Sequence, residues 1–225
     1  MEIRAKTIAE AHVKVCEAIA KCDDSIYYTS EDGEKMLEYP EPILVIVDEP
    51  ISDDMISSLC KFGERSMNQY VYDLMNGTDN EFVYTYHDRL FAYECGYEET
   101  PKDYSCVVNQ IKGIIKKLKE CPTSRRAQAI TWYPEEDLFS DNPPCLQRMQ
   151  FTIRNGQLNM HVTFRSNDCL SAMMANMYAF VHLQKYVAEQ IGVPIGYYTH
   201  YIVSAHLYPK RDAEEYNKLR RLVYK

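Results

Sequence analysis

The absences in this 225-residue chain narrow it first. It has no apolar run of the roughly 18 residues needed to cross a bilayer. Its opening residues, Met1-Glu2-Ile3-Arg4-Ala5-Lys6, lack the apolar stretch of a secretory signal. There is no surplus of positive charge: 25 Lys and Arg against 33 Asp and Glu leave a net charge of −8. General affinity for nucleic acid needs a basic face that displaces counterions, so DNA is not an expected partner. Low-complexity tracts and internal repeats are missing. No pair among the eight cysteines has C-x-x-C spacing, so neither a zinc nor a redox motif is read. Their irregular spacing, without a secretion signal, argues against a disulfide scaffold and for small buried hydrophobes. The expectation is one cytosolic domain, 1–225, with no metal and no membrane contact.

What is present is enough apolar sequence, 46%, for a sizeable core. Residues 6–21 have the apolar period of an amphipathic helix, and 104–120 repeat it with lysines near the C-terminal end. Asp53-Asp54 reads as the entry to a helix over 54–75, stopped by Asn76-Gly77. Residues 169–191 and 211–223 read as two more helices. Strands are expected at 27–29, 43–47, 82–86, 127–133, 148–154, 158–165 and 197–207. A turn is expected at 31–34, and Asn155-Gly156 marks a tight hairpin. Helices with a mostly antiparallel sheet make an α+β fold.

Several side chains could carry chemistry. Cys145 follows Pro143-Pro144, which hold the backbone extended and present the thiol rigidly. It reads either as a buried structural thiol or as a nucleophile. Arg165, on the second strand of the Asn155-Gly156 hairpin, would raise its thiolate fraction if the two meet. Arg125-Arg126 suit a phosphate by their planar donor forks, or are a solvated pair. Asn176 stands among Met173, Met174, Ala175 and Met177, where an amide must find partners. Its adjacent donor and acceptor match the N3–H and O4 edge of uracil; the alternative is a bond to a neighbouring loop. Asp168 could be a helix N-cap. His206 and Tyr208 alternate along a strand and face one side. His12, His182 and His200 read as structural.

The ordered set Ser124-Arg125-Arg126-Ala127, Pro143-Pro144-Cys145, Phe164-Arg165-Ser166-Asn167-Asp168, Asn176 and Ala205-His206-Leu207-Tyr208 resembles thymidylate synthase, in its compact archaeal form. The resemblance implies a single α+β domain whose mixed, mostly antiparallel sheet pairs face to face in a homodimer. It implies methylation of dUMP at C5, with 5,10-methylenetetrahydrofolate or a methylene-tetrahydromethanopterin-type carrier as donor. Cys145 would add to C6. Arg165 and Ser166 would hold the 5′-phosphate, and Arg125 and Arg126 would reach the partner's phosphate. Asn176 would read the uracil edge, His206 and Tyr208 the ribose hydroxyl, and Asp168 the pterin. Tyr86 would be the family's active-site tyrosine.

The chain also departs from the family pattern. By spacing from Gly77, Tyr70 stands where the family has a glutamate, with Glu64 and Asp73 as the nearby carboxylates. Leu146 replaces the histidine after the nucleophile. Ala172-Met173-Met174-Ala175 replaces Gly-Val-Pro-Phe. Glu31-Asp32 lie near the place of an N-terminal phosphate arginine. The closing Leu222-Val223-Tyr224-Lys225 stands where the family has an apolar tail. The pyrimidine half of the site therefore reads as kept and the carrier half as altered. This keeps a pyrimidine nucleotide 5-hydroxymethylase and a non-catalytic nucleotide-binding homologue as alternatives. A cysteine hydrolase built on Cys145 and His206 lacks an orienting partner for its base.

Overall fold

The computed structural model describes residues 1–29, 33–80, 84–95 and 106–224. A mixed, mostly antiparallel sheet of eight strands organises them. At one edge β1 (Glu2–Ala5) runs parallel to β4 (Ile43–Val47). Next comes the long β10 (Ile195–Leu207), antiparallel to β4 and parallel to β9 (Gln157–Asp168). Then follow β8 (Leu146–Arg154) and β7 (Gln128–Ile130), each antiparallel to its neighbour. The hairpin of β2 (Ile26–Thr29) and β3 (Lys35–Glu38) joins the sheet where β3 meets His206 and Leu207 of β10.

The expected Asn155-Gly156 turn joins β8 to β9. Both residues have positive φ, 52° and 75°, as a two-residue hairpin of matching twist demands. The inner face of the sheet is covered by α6 (Ala172–Ile191), which buries Met173, Met177, Phe180, Val181, Leu183 and Val187. Fully burying each such side chain contributes roughly 1.5–3 kcal/mol. α1 (Ile8–Lys21) packs beside it through Ile8, Ala11, Val15 and Ile19, a helical stripe opened by Thr7, whose side chain accepts from Glu10 N–H. α2 (Glu64–Asn76) and α4 (Gln110–Glu120) pack on α6, and α7 (Ala213–Val223) on α1.

Some expected boundaries shift. The helix placed at 54–75 starts only at Glu64, because Gly63 is its N-cap and Ser57–Cys60 forms a turn of its own. In the 104–120 segment, residues 106–108 form β6 (Cys106–Val108), paired with β5 (Tyr93–Cys95). Asn109 then caps α4 by accepting from Lys112 N–H. Tyr86 does not continue a strand: Thr85 caps α3 (Tyr86–Phe91). The strand expected over 127–133 ends at Ile130, since Pro134 opens the short α5 (Pro134–Asp137). Six cysteines are free, as the spacing suggested, but Cys95 is disulfide-bonded, and Cys106 stands opposite it in the β5–β6 ladder. The turn at Glu31-Asp32, Phe82-Val83 and residues 104–105 lie outside the described residues.

Candidate active site

The parallel register of β9 and β10 brings residues from two distant segments side by side. Ser204 lies opposite Ser166, and His206 opposite Asp168. Because α6 starts directly after β9, Asn176 sits about one turn into that helix, above the same strand ends. A cavity of about 820 Å³ opens there, within the size range of small-molecule sites. Cys145, Arg165, Ser166, Asp168, Asn176, His206, Tyr208 and Tyr86 all line it. The segments supplying these residues are separate in sequence, yet they converge on one concavity.

Cys145 immediately precedes β8. The Arg165 side chain binds the peptide just before it: Nε donates to Pro144 O at 3.1 Å and Nη2 to Pro143 O at 2.7 Å. Arg165 N–H donates to Cys145 O at 2.9 Å. Tyr86 Oη accepts from Leu146 N–H at 3.1 Å. The nucleophile candidate is therefore splinted on both sides. Burial pushes the Cys145 thiol up, the Arg165 guanidinium draws it down, and the Asp168 carboxylate opposes that pull. Burial also raises the phenols of Tyr84 and Tyr86, so both keep their protons at neutral pH.

The opposite wall of the cavity is built from α6, α2 and β10. Asn176 is buried, and Tyr70 Oη on α2 donates to its Oδ1 at 3.0 Å. His206 Nδ1 lies 3.4 Å from Ser166 Oγ, and burial lowers its pKa. The ring of Tyr208 stands edge-on to His206 at 5.0 Å between centroids. Arg211 lies 4.0 Å over the Tyr208 ring and pairs with both Asp168 and Asp212. Asp168 also accepts from Ser171 N–H at 3.2 Å, next to the start of α6. Behind this wall, His200 is held neutral at a pKa of about 3 by burial. It bridges Tyr198 Oη at 2.7 Å and Asn167 Oδ1 at 2.9 Å, which pins β9 to β10 beside the site.

Arg125 and Arg126 are the exceptions. Both are exposed and neither lines this cavity. Of the two carboxylates near the family's glutamate position, Asp73 lines the cavity and Glu64 does not. Reading the sequence missed Tyr84, Met36 and Arg211 as cavity residues. Arg211 had one available signal, a cation three residues after Tyr208. The described residues include no group of three or more His, Cys, Asp or Glu side chains able to hold a metal ion. They also include no helix long and apolar enough to cross a membrane.

Comparison with known proteins places the chain in a family. The family model "Thymidylate synthase" matches residues 63–225. A protein of Methanocaldococcus jannaschii is 35% identical over 221 residues, covering 96% of this chain and 94% of its own. One from Methanosarcina mazei is 34% identical over 207 residues, covering 92% and 88%. Both carry the name "Putative thymidylate synthase". The chain belongs to the thymidylate synthase family.

Proposed function

We propose that the protein methylates dUMP at C5 to give dTMP, through covalent addition of Cys145 to C6. The observation that carries this reading is the convergence of Cys145, Arg165, Asn176 and His206 on one cavity. C5 of uracil is a poor nucleophile. The Cys145 proton leaves to cavity water and the thiolate adds at C6, which turns C5 into an enolate carbon. Arg165 favours the thiolate and, with Ser166, anchors the 5′-phosphate, so the ring is held against the sulfur. Asn176 pairs with N3–H and O4, where negative charge develops on addition. His206 and Tyr208 hold the ribose hydroxyl. Tyr86 steadies the Leu146 amide and stays protonated.

A reduced-pterin carrier would supply both the one-carbon unit, at the oxidation level of formaldehyde, and the hydride that takes it to methyl, leaving as the dihydropterin, while C5 loses its proton and Cys145 is released from C6. The cavity offers it Tyr208 and the Asp168–Arg211 pair, so a ring would meet an ion pair rather than a lone carboxylate. That difference favours one second reading, a 5-hydroxymethylase of the same substrate. We further propose a homodimer joined through the sheet face that leaves Tyr197, Tyr201 and Val203 exposed. Arg125 and Arg126, outside their own cavity, would complete the partner's.

The test is intact mass after incubation with 5-fluoro-dUMP and a methylene carrier. A ternary adduct on Cys145 is expected, and its absence with both carrier types refutes the reading. Product mass from dUMP separates methyl from hydroxymethyl.

A further inference from the structure

Tyr70 occupies the α2 position that faces Asn176, and its contact with the amide has a direction. An amide oxygen accepts and an amide nitrogen donates. Tyr70 stays a phenol, because burial raises its pKa. Its O–H therefore donates, and the bond at 3.0 Å runs to Oδ1. Among the described residues no other group bonds the Asn176 side chain, and Tyr70 Oη has no second partner. The second lone pair of Oδ1 and the NH2 group are left for the cavity, which both residues line.

We infer that Tyr70 is a positioning residue that fixes the orientation of the Asn176 amide and thereby selects a keto pyrimidine over an amino pyrimidine. This rests on the proposed nucleotide substrate. With Oδ1 anchored by Tyr70, the amide presents an acceptor beside a donor. Uracil offers the complement, N3–H and O4. Cytosine offers the reverse, an unprotonated N3 and an N4 amino group. To read cytosine, the amide must turn over and bring Nδ2 to the phenol. The phenol proton then loses its only bonded acceptor, a cost that falls on the cytosine complex alone. Removing the phenol hydroxyl removes that bias.

The test is binding of dUMP and of dCMP to the full-length protein by titration calorimetry, for the wild type, Tyr70→Phe, Asn176→Ala and the double variant. The wild type is expected to prefer dUMP. In Tyr70→Phe the dUMP affinity falls about threefold and the dCMP affinity rises about threefold, so the preference narrows roughly tenfold, one hydrogen bond's worth. In the Asn176→Ala background the Tyr70 change has no further effect on the ratio, which a general structural role of Tyr70 would not produce. An unchanged ratio in Tyr70→Phe, or an equal effect without Asn176, overturns the inference. Binding of neither nucleotide by the wild type overturns the substrate reading itself, a distinct result. If Tyr70→Phe does not fold, Tyr70→Met removes the same donor and takes its place.

Discussion

Arg165 has two duties in the structure, and replacing it with glutamine separates them. Its guanidinium spans two consecutive carbonyls, Pro143 O at 2.7 Å and Pro144 O at 3.1 Å. A glutamine amide reaches one at most. Hydrogen bonds to a charged donor contribute roughly 1.5–3 kcal/mol each. Arg165 is half-buried, so screening reduces this to about 1 kcal/mol each, or about 2 kcal/mol for the pair. For a domain of this size that lowers the Tm by roughly 4–8 °C. The second duty is electrostatic. Arg165 is the group that draws the Cys145 thiol down against burial, so Arg165→Gln slows alkylation of Cys145 at neutral pH. On the proposed role of Arg165 as phosphate anchor, its loss weakens dUMP binding by about 10- to 100-fold. Arg165→Lys keeps the charge without the fork, so it loses the Tm but retains more of the alkylation rate. The assays are thermal unfolding, iodoacetamide labelling read by peptide mass at Cys145, and nucleotide titration. Unchanged labelling in Arg165→Gln refutes the coupling of guanidinium to thiol. An unchanged Tm refutes the splint.

Two other outcomes follow from buried charge. Arg89 of α3 donates through both Nη atoms to Asp137 at 3.0 and 2.9 Å, and also to Thr131 O at 3.0 Å. Both side chains are buried, so Asp137→Asn leaves the guanidinium with only the exposed Glu136 carboxylate at 3.8 Å and destabilises by about 3–5 kcal/mol. The Tm falls by roughly 6–20 °C in differential scanning calorimetry, and a fall of less than 3 °C rejects the argument. His12 and His200 are buried and neutral, with pKa values lowered by burial to about 4 and about 3. Their unfolded forms take up protons below about pH 6.5 while the folded forms do not. Stability is therefore lost as pH falls below that value, by up to roughly 2 kcal/mol for each at pH 5. Urea unfolding at pH 7 and pH 5 measures the loss, and equal midpoints disprove it.

The parts of this structure that were legible in the sequence are those set by local pattern. The stripe of α1, the apolar length of α6 and the Asn155-Gly156 turn each carry their signal within a few residues. The convergence of Cys145, Arg165, Asp168, Asn176 and His206 on one cavity was legible for another reason. They follow the chain order of strand, hairpin, helix and returning strand, so their spacing records the topology. The helix start at Glu64 was hidden because Asp53-Asp54 offers a plausible cap, while the helix is capped at Gly63 instead. The roles of Tyr70 and Arg211 were hidden because they arise only from packing. Tyr70 meets Asn176 across 106 positions of sequence, and Arg211 meets Asp168 across 43. These two residues have something in common. Each is bonded to a polar residue that the family pattern retains, one proposed for the pyrimidine edge and one for the carrier side. A departure that had merely decayed would leave its retained neighbour open to water or to a chance contact. Tyr70, one of the departures here, instead satisfies one lone pair of Asn176 Oδ1 and leaves the rest of the amide in the cavity, while Asp168 accepts from both Arg211 and Ser171 N–H. The change at Tyr70 therefore acts on how Asn176 presents itself to the cavity, with both residues still lining it.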